Sequence, residues 1–189
     1  WELLWLAPSL NFTVVDFDRV ESRNIEPGTQ KYEKTDINRF KTQAMQRIAM
    51  NKKHKRISGI NQKIETVDDI TSIVQDPNST VLVDAFDNAE SRNLFLELPK
   101  EYRVIHIGFS GGLCGEVVWN EDFSPMVSSE ADAKIDVCEQ TSAKNFIQRL
   151  STHAAQIIEE CINLDEYWCV FCQYRPRVLR SWPSIRKKA

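Results

Sequence analysis

Short apolar runs closed by carboxylates alternate along the chain with stretches of helical spacing, and the alternation predicts a mixed α/β fold. Phe12, Val14 and Val15 form a strand ending at Asp16. Thr35 or Asp36 can cap a helix running to about Met50, with Ile37, Phe40, Ala44 and Ile48 on one face. Residues 56–64 read as a second strand, weakened by Gly59, and residues 68–74 as a short helix carrying Ile70, Ile73 and Val74. Val81, Leu82 and Val83 then make a strand. Asp87 is placed to cap a helix starting at Asn88, with Glu90 completing a capping box. Leu94, Phe95 and Leu98 give that helix its apolar face, Pro99 stops it, and Val104, Ile105 and Ile107 form the following strand. This βαβ unit over residues 78–127 is the organising stretch of the chain. Residues 116–119 predict another strand, 143–163 a long amphipathic helix, and the alternation over 167–182 a last strand or hairpin.

The remaining stretches are connections. Residues 1–6 read as the tail of a helix stopped by Pro8, residues 21–32 as a loop around Pro27 and Gly28, and the polar residues 121–134 as a mobile loop. The expected architecture is a Rossmann-like sheet, mostly parallel, flanked by helices and closed by a C-terminal strand or hairpin. One domain would occupy residues 1–175, with a basic tail over 176–189.

Composition narrows the class. With 24 Lys and Arg against 27 Asp and Glu, the formal net charge is −3, which argues against non-specific nucleic-acid binding. No apolar run reaches the ~18 residues of a membrane span. Residues 1–10 lack the basic leader of a signal peptide. Five cysteines, an odd number, fit a reducing cytoplasm better than a disulfide scaffold.

Candidate chemistry gathers at strand ends, where open α/β sheets bind ligands. Asp16, Asp84 and Asp87 each follow an apolar run, and Lys41 lies near the start of a helix between them. If they converge, they supply a ribose acceptor, a phosphate-binding cation and an oxygen ligand for magnesium; taken singly, each also reads as a turn, a cap or an exposed lysine. No GxGxxG or Walker loop occurs, and the glycines from Gly108 to Gly115 follow a late strand. Cys169 and Cys172 form a CxxC pair, readable as half a zinc site, a redox pair or unliganded thiols. Cys138 precedes the long helix, a place that favours a reactive thiolate. Cys114, between glycines, and His153, beside an apolar helix face, read as packed side chains.

Three stretches in order, "VVDFDRVESRNIEP", "TDINRFKTQAMQRI" and "VLVDAFDNAESRN", resemble the ThiF/MoeB/ubiquitin-activating-enzyme superfamily over about residues 12–165. That resemblance implies ATP-dependent adenylation of the C-terminal glycine of a ubiquitin-like or sulfur-carrier protein, usually by a homo- or heterodimer. It implies Asp16 as the ribose carboxylate, Asn24 lining the nucleotide site, Lys41 on the ATP phosphates and Asp87 on magnesium, with Asn88 its neighbour. Cys138 stands where many members keep a thioester- or persulfide-forming cysteine, and Cys169 and Cys172 look like the second half of a structural zinc site whose first half is not found. The sequence departs from the family in two places. It starts downstream of where the glycine-rich nucleotide loop stands, and Pro27 and Gly28 occupy the neighbourhood of an Arg-Gln pair. Two functions therefore follow from the resemblance: an adenylating enzyme, or a non-catalytic partner that binds a ubiquitin-like protein or completes a dimer.

Overall fold

A computed structural model describes residues 10–25, 30–109, 114–120, 123–124, 144–164, 169–175 and 178–184, with 114, 161, 163–164 and the last two spans described by backbone alone. The chain divides into two compact units, one of residues 1–63 and 136–148, the other of residues 64–135 and 149–189.

The first unit is a small βαβ. Strand β1, Thr13–Val15, pairs in parallel with β2, Ser58–Ile60, and helix α1, Lys41–Lys53, connects them. Thr42, Ala44, Ile48 and Ala49 are the buried residues of α1. Gly59 explains how the helix comes so close to β2: a Cβ there would lie 3.0–3.1 Å from Gln46 and Thr42. The glycine that weakens the strand by propensity is therefore a packing requirement. Gln46 Nε2 donates to the Ile57 carbonyl at 3.0 Å, and Thr42 Oγ1 donates to Asn61 Oδ1, tying the helix to the strand.

Helix α1 begins four to five residues later than the spacing predicts, and backbone geometry gives the reason. Lys34–Asp36 forms a separate 3-10 turn, Asn38 takes a left-handed φ of 70°, and Phe40 is extended at ψ 140°. The Asn38 and Val20 amides bond across to Val20 and Arg39 carbonyls, both at 2.9 Å, so residues 38–40 run as a bridge and cannot extend the helix. Ile37, expected on the buried helix face, is consequently exposed.

In the second unit, α2 (Val67–Ile73) is capped by Thr66, whose hydroxyl accepts the Asp69 amide while Asp69 accepts the Thr66 amide. Strand β3, Val81–Asp84, pairs in parallel with β4, Arg103–Phe109, and α3, Ala89–Leu94, crosses between them. The predicted βαβ is present, but its helix cap is Asn88 instead of Asp87: Asn88 Oδ1 accepts the Ser91 amide at 2.8 Å. Both residue types cap well, and the choice leaves the Asp87 carboxylate outside the helix.

Beyond β4 the pairing turns antiparallel. Strands β5 (Cys114–Trp119), β6 (Cys169–Arg175) and β7 (Val178–Ser184) follow in the order β3-β4-β5-β6-β7. The C-terminal hairpin thus takes in Val178–Ser184 from the stretch read as a tail. Val104, Ile105 and Val117 form the sheet core. Helix α4, Lys144–Leu164, buries Phe146, Leu150, Ala154, Ile157 and Ile158, the stripe the spacing predicts. Among the described residues, no helix is long and apolar enough to cross a membrane. The fold is α/β of the Rossmann-like kind.

Candidate functional site

The end of β1 gathers three charged side chains. Asp16 leaves the strand with its amide donating to the Ile60 carbonyl at 3.1 Å, and its Oδ1 accepts the Asp18 amide at 2.7 Å. That short loop fixes the carboxylate past the strand end, and its second oxygen has no partner among the described residues. Asp18 Oδ2 accepts from Lys41 Nζ at 2.7 Å, while the Lys41 amide, first in α1, donates to the Asp18 carbonyl at 2.8 Å. Lys41 is thus held by both backbone and side chain. Its side chain is 19% exposed, and one carboxylate uses only one of three ammonium protons. Burial, followed by the charges of Asp16, Asp36 and Asp18, pushes the Tyr32 hydroxyl well above its ordinary range, so it remains a proton donor among carboxylates. Asn24 is buried in the 3-10 turn Ser22–Asn24; its Oδ1 accepts the Glu21 amide at 2.8 Å.

Below this group lies an ion pair that local pattern does not reveal. Asp36 is fully buried and accepts from Arg47 Nε at 2.9 Å, Arg47 Nη2 at 2.7 Å and the Glu33 amide at 2.9 Å. Burial alone would raise its pKa; the Arg47 hydrogen bonds, the Glu33 amide and the charges of Arg47 and Arg39 outweigh that and hold it below the ordinary carboxylate value. The pair ties the turn at 34–36 to α1, the helix that begins with Lys41.

At the end of β3 the two carboxylates have different surroundings. Asp84 is fully buried: Oδ1 accepts the Phe86 amide at 2.9 Å, and Oδ2 faces Arg92 Nε at 3.0 Å and His106 Nδ1 at 2.7 Å. His106 Nε2 faces Asn120 Oδ1 at 2.8 Å, and Asn120 Nδ2 donates to the Phe95 carbonyl at 3.3 Å. Phe123 stacks on the His106 ring at 3.7 Å. Arg92 continues to Glu116 Oε1 at 3.4 Å. Asp84 is therefore committed to internal partners. Asp87 is exposed, touched only by Asn88 Nδ2 at 3.4 Å among the described residues.

The structure therefore brings Asp16, Asp18 and Lys41 together in the first unit; Asp87 belongs to the second. Cys138 lies outside the described residues. Cys169 and Cys172 lie on β6, where Cys172 pairs with Gly115 and Ser181 in the backbone register, and their side chains lie outside the described part. Among the described residues, no group of three or more His, Cys, Asp or Glu could hold a metal. An exposed carboxylate such as Asp87 does fit magnesium, which commonly takes one or two protein carboxylates and completes its shell with phosphate and water. Sequence reading missed Tyr32, the Asp36–Arg47 pair, Arg92, His106 and Glu116. One signal was available: a histidine inside the apolar run "VIHI" must be buried with partners.

Solved structures with this fold cover nearly the whole chain at low identity. E. coli MccB with MccA-N7isoASN superposes with a TM-score of 0.70 at 12% identity, over 96% of this chain and 59% of that one. E. coli MccB with ATP gives 0.69 at 13%, over 98% and 60%, and PaaA gives 0.64 at 14%, over 98% and 69%. The chain thus spans about 60% of the MccB chains it matches. No curated protein sequence matches it. The sequence profile of the ThiF family matches residues 2–157, most of the 189, and the chain belongs to that family.

Proposed function

We propose that this protein uses ATP to adenylate the C-terminal carboxylate of a peptide or small protein, such as a ubiquitin-like or sulfur-carrier protein. The observation that carries this reading is the Asp16–Asp18–Lys41 set at the end of β1: a fixed carboxylate with one oxygen unclaimed among the described residues, beside an ammonium of which Asp18 takes one proton. Two carboxylate oxygens match a vicinal ribose diol, and an ammonium at a helix start suits phosphate. Asn24 lines the nucleotide site, and Asp87 holds magnesium. Bound magnesium supplies charge neutralisation on the phosphates. The acceptor carboxylate attacks the α-phosphorus, a P–O bond forms, and the bond to pyrophosphate breaks. The attacking group is already an anion, so positioning and electrostatics supply the rate and no general base is required. Cys138 can then take the acyl group as a thioester, releasing AMP. The solved MccB structures with ATP and with MccA-N7isoASN support the substrate classes. A cytoplasmic dimer, and a zinc ion held in part by Cys169 and Cys172, complete the proposal.

A second reading is favoured by one observation: Pro27 and Gly28 stand in the region of the family's Arg-Gln pair. On that reading the protein is a non-catalytic partner that binds a ubiquitin-like protein. ATP–pyrophosphate exchange by the full-length protein separates the two, using a panel of peptides and small proteins with free C-terminal carboxylates, Gly-Gly tails among them. Exchange that needs magnesium and an acceptor, and disappears in Asp87→Ala, supports the enzyme. Carrier binding without any exchange supports the partner.

A further inference from the structure

We infer that Asp84, Arg92 and His106 form a positioning device for Asp87, an inference that rests on the magnesium role proposed for that residue. Asp87 contacts only its neighbour Asn88 among the described residues, yet it sits between two anchored points. On one side, Asp84 Oδ1 accepts the Phe86 amide at 2.9 Å and sets the direction in which the chain leaves β3. On the other, Asn88 caps α3 through the Ser91 amide at 2.8 Å. The same Asp84 carboxylate joins these points, because its Oδ2 accepts from Arg92 Nε on α3 at 3.0 Å and from His106 Nδ1 on β4 at 2.7 Å. One buried carboxylate thus ties strand end, helix and neighbouring strand around a turn of four residues.

The surroundings of the network are built for this task. Both His106 ring nitrogens face oxygens, Asp84 Oδ2 and Asn120 Oδ1. Asn120 orients its oxygen toward the ring because its nitrogen is used by the Phe95 carbonyl. Phe123 covers the ring at 3.7 Å and also lies 4.6 Å beneath the Arg92 guanidinium. Gly108 makes the passage for that guanidinium: a Cβ there would stand 2.7 Å from Arg92 Nη1. Glu116 then receives the far end of the arginine. A helix as short as Ala89–Leu94 has little stability of its own, so its start, and Asp87 with it, takes its position from these contacts.

The test is Asp84→Asn in the full-length protein, which keeps an acceptor for the Phe86 amide but turns a donor toward Arg92 and His106. Gly108→Ala, which displaces Arg92 from the glycine side, is the second variant in case the first fails to fold. Amide hydrogen exchange reads the turn independently of any activity: residues 85–91 should lose protection at least tenfold while β4 keeps its own. ATP–pyrophosphate exchange reads the consequence: the magnesium concentration for half-maximal rate should rise about tenfold, with the ATP KM at saturating magnesium changed less than threefold. Unchanged protection at 85–91 in both variants overturns the device. A loosened turn with an unchanged magnesium requirement overturns its link to Asp87. A wild-type protein inactive with every acceptor defeats the adenylation reading instead, and the hydrogen-exchange result stands apart from it.

Discussion

Replacing Arg47 with methionine should destabilise the protein by about 3 kcal/mol at neutral pH, and the structure sets that figure. The substitution keeps most of the aliphatic stem but removes two charge-assisted hydrogen bonds, at 2.9 and 2.7 Å, from a carboxylate with no solvent exposure. Breaking a buried pair from one side costs about 3–5 kcal/mol, because the remaining charge is stranded. Arg47 is 28% exposed, so water can reach part of the vacated space, which favours the lower end of that range. With a urea m-value of about 1–3 kcal/mol/M, the midpoint should fall by about 1–3 M. The acid limb gives a sharper check. In the wild type, the Asp36 pKa is depressed by Arg47 and the Glu33 amide acting against burial, so its contribution is complete above the unfolded value of about 3.9 and is lost as pH falls through the folded value. Without Arg47, burial dominates, and acidification relieves the stranded charge. The difference between the two proteins should therefore be largest near neutrality and shrink as pH falls from the variant's raised Asp36 value, above the unfolded value of about 3.9, toward the wild type's depressed one. Asp36→Asn combined with Arg47→Met should recover part of the loss. A loss below about 1 kcal/mol, or one that does not change with pH, would refute the reasoning, since that is the range of an exposed pair.

The residues proposed for function carry further predictions. Lys41→Met should lower kcat/KM in ATP–pyrophosphate exchange by at least ~100-fold, the range for loss of one charge-stabilising donor, while circular dichroism stays near that of the wild type. Asp16→Ala should act mainly on nucleotide binding, raising the ATP KM about tenfold with little change in kcat, as expected for a uniform binding contact. Metal analysis of the purified protein should find about one zinc per chain, lost in the Cys169→Ser/Cys172→Ser double variant; zinc retained in that variant removes the pair from the site. Cys138→Ser should leave exchange intact and abolish the reductant-sensitive adduct with the acceptor.

Much of the fold was legible because short apolar runs stopped by carboxylates mark strand ends whatever their tertiary setting. β1 and β3 follow directly from such runs, β4 from its apolar run ahead of the glycines, and α4 from its apolar stripe. The start of α1 was not legible: residues from Ile37 onward have helical spacing, but the left-handed Asn38 and its exchange of backbone bonds with Val20 are long-range facts. The choice of Asn88 over Asp87 as cap could not be made from two adjacent capping residues. Of the candidate site, Asp16 and Lys41 were readable as types at strand and helix ends, but Asp18, which holds Lys41, was hidden in the same motif. The pairings Asp36–Arg47 and Asp84–Arg92–His106 join residues up to 22 positions apart, and periodicity carries no information at that range.

The most direct measurement uses an acceptor peptide labelled with 18O in its C-terminal carboxylate, incubated with ATP, magnesium and the full-length protein. Attack by that carboxylate on the α-phosphorus, followed by hydrolysis of the acyl adenylate at the acyl carbon, leaves one labelled oxygen in AMP, and this is the result the account predicts. Unlabelled AMP, or no AMP formed with any acceptor, would contradict it.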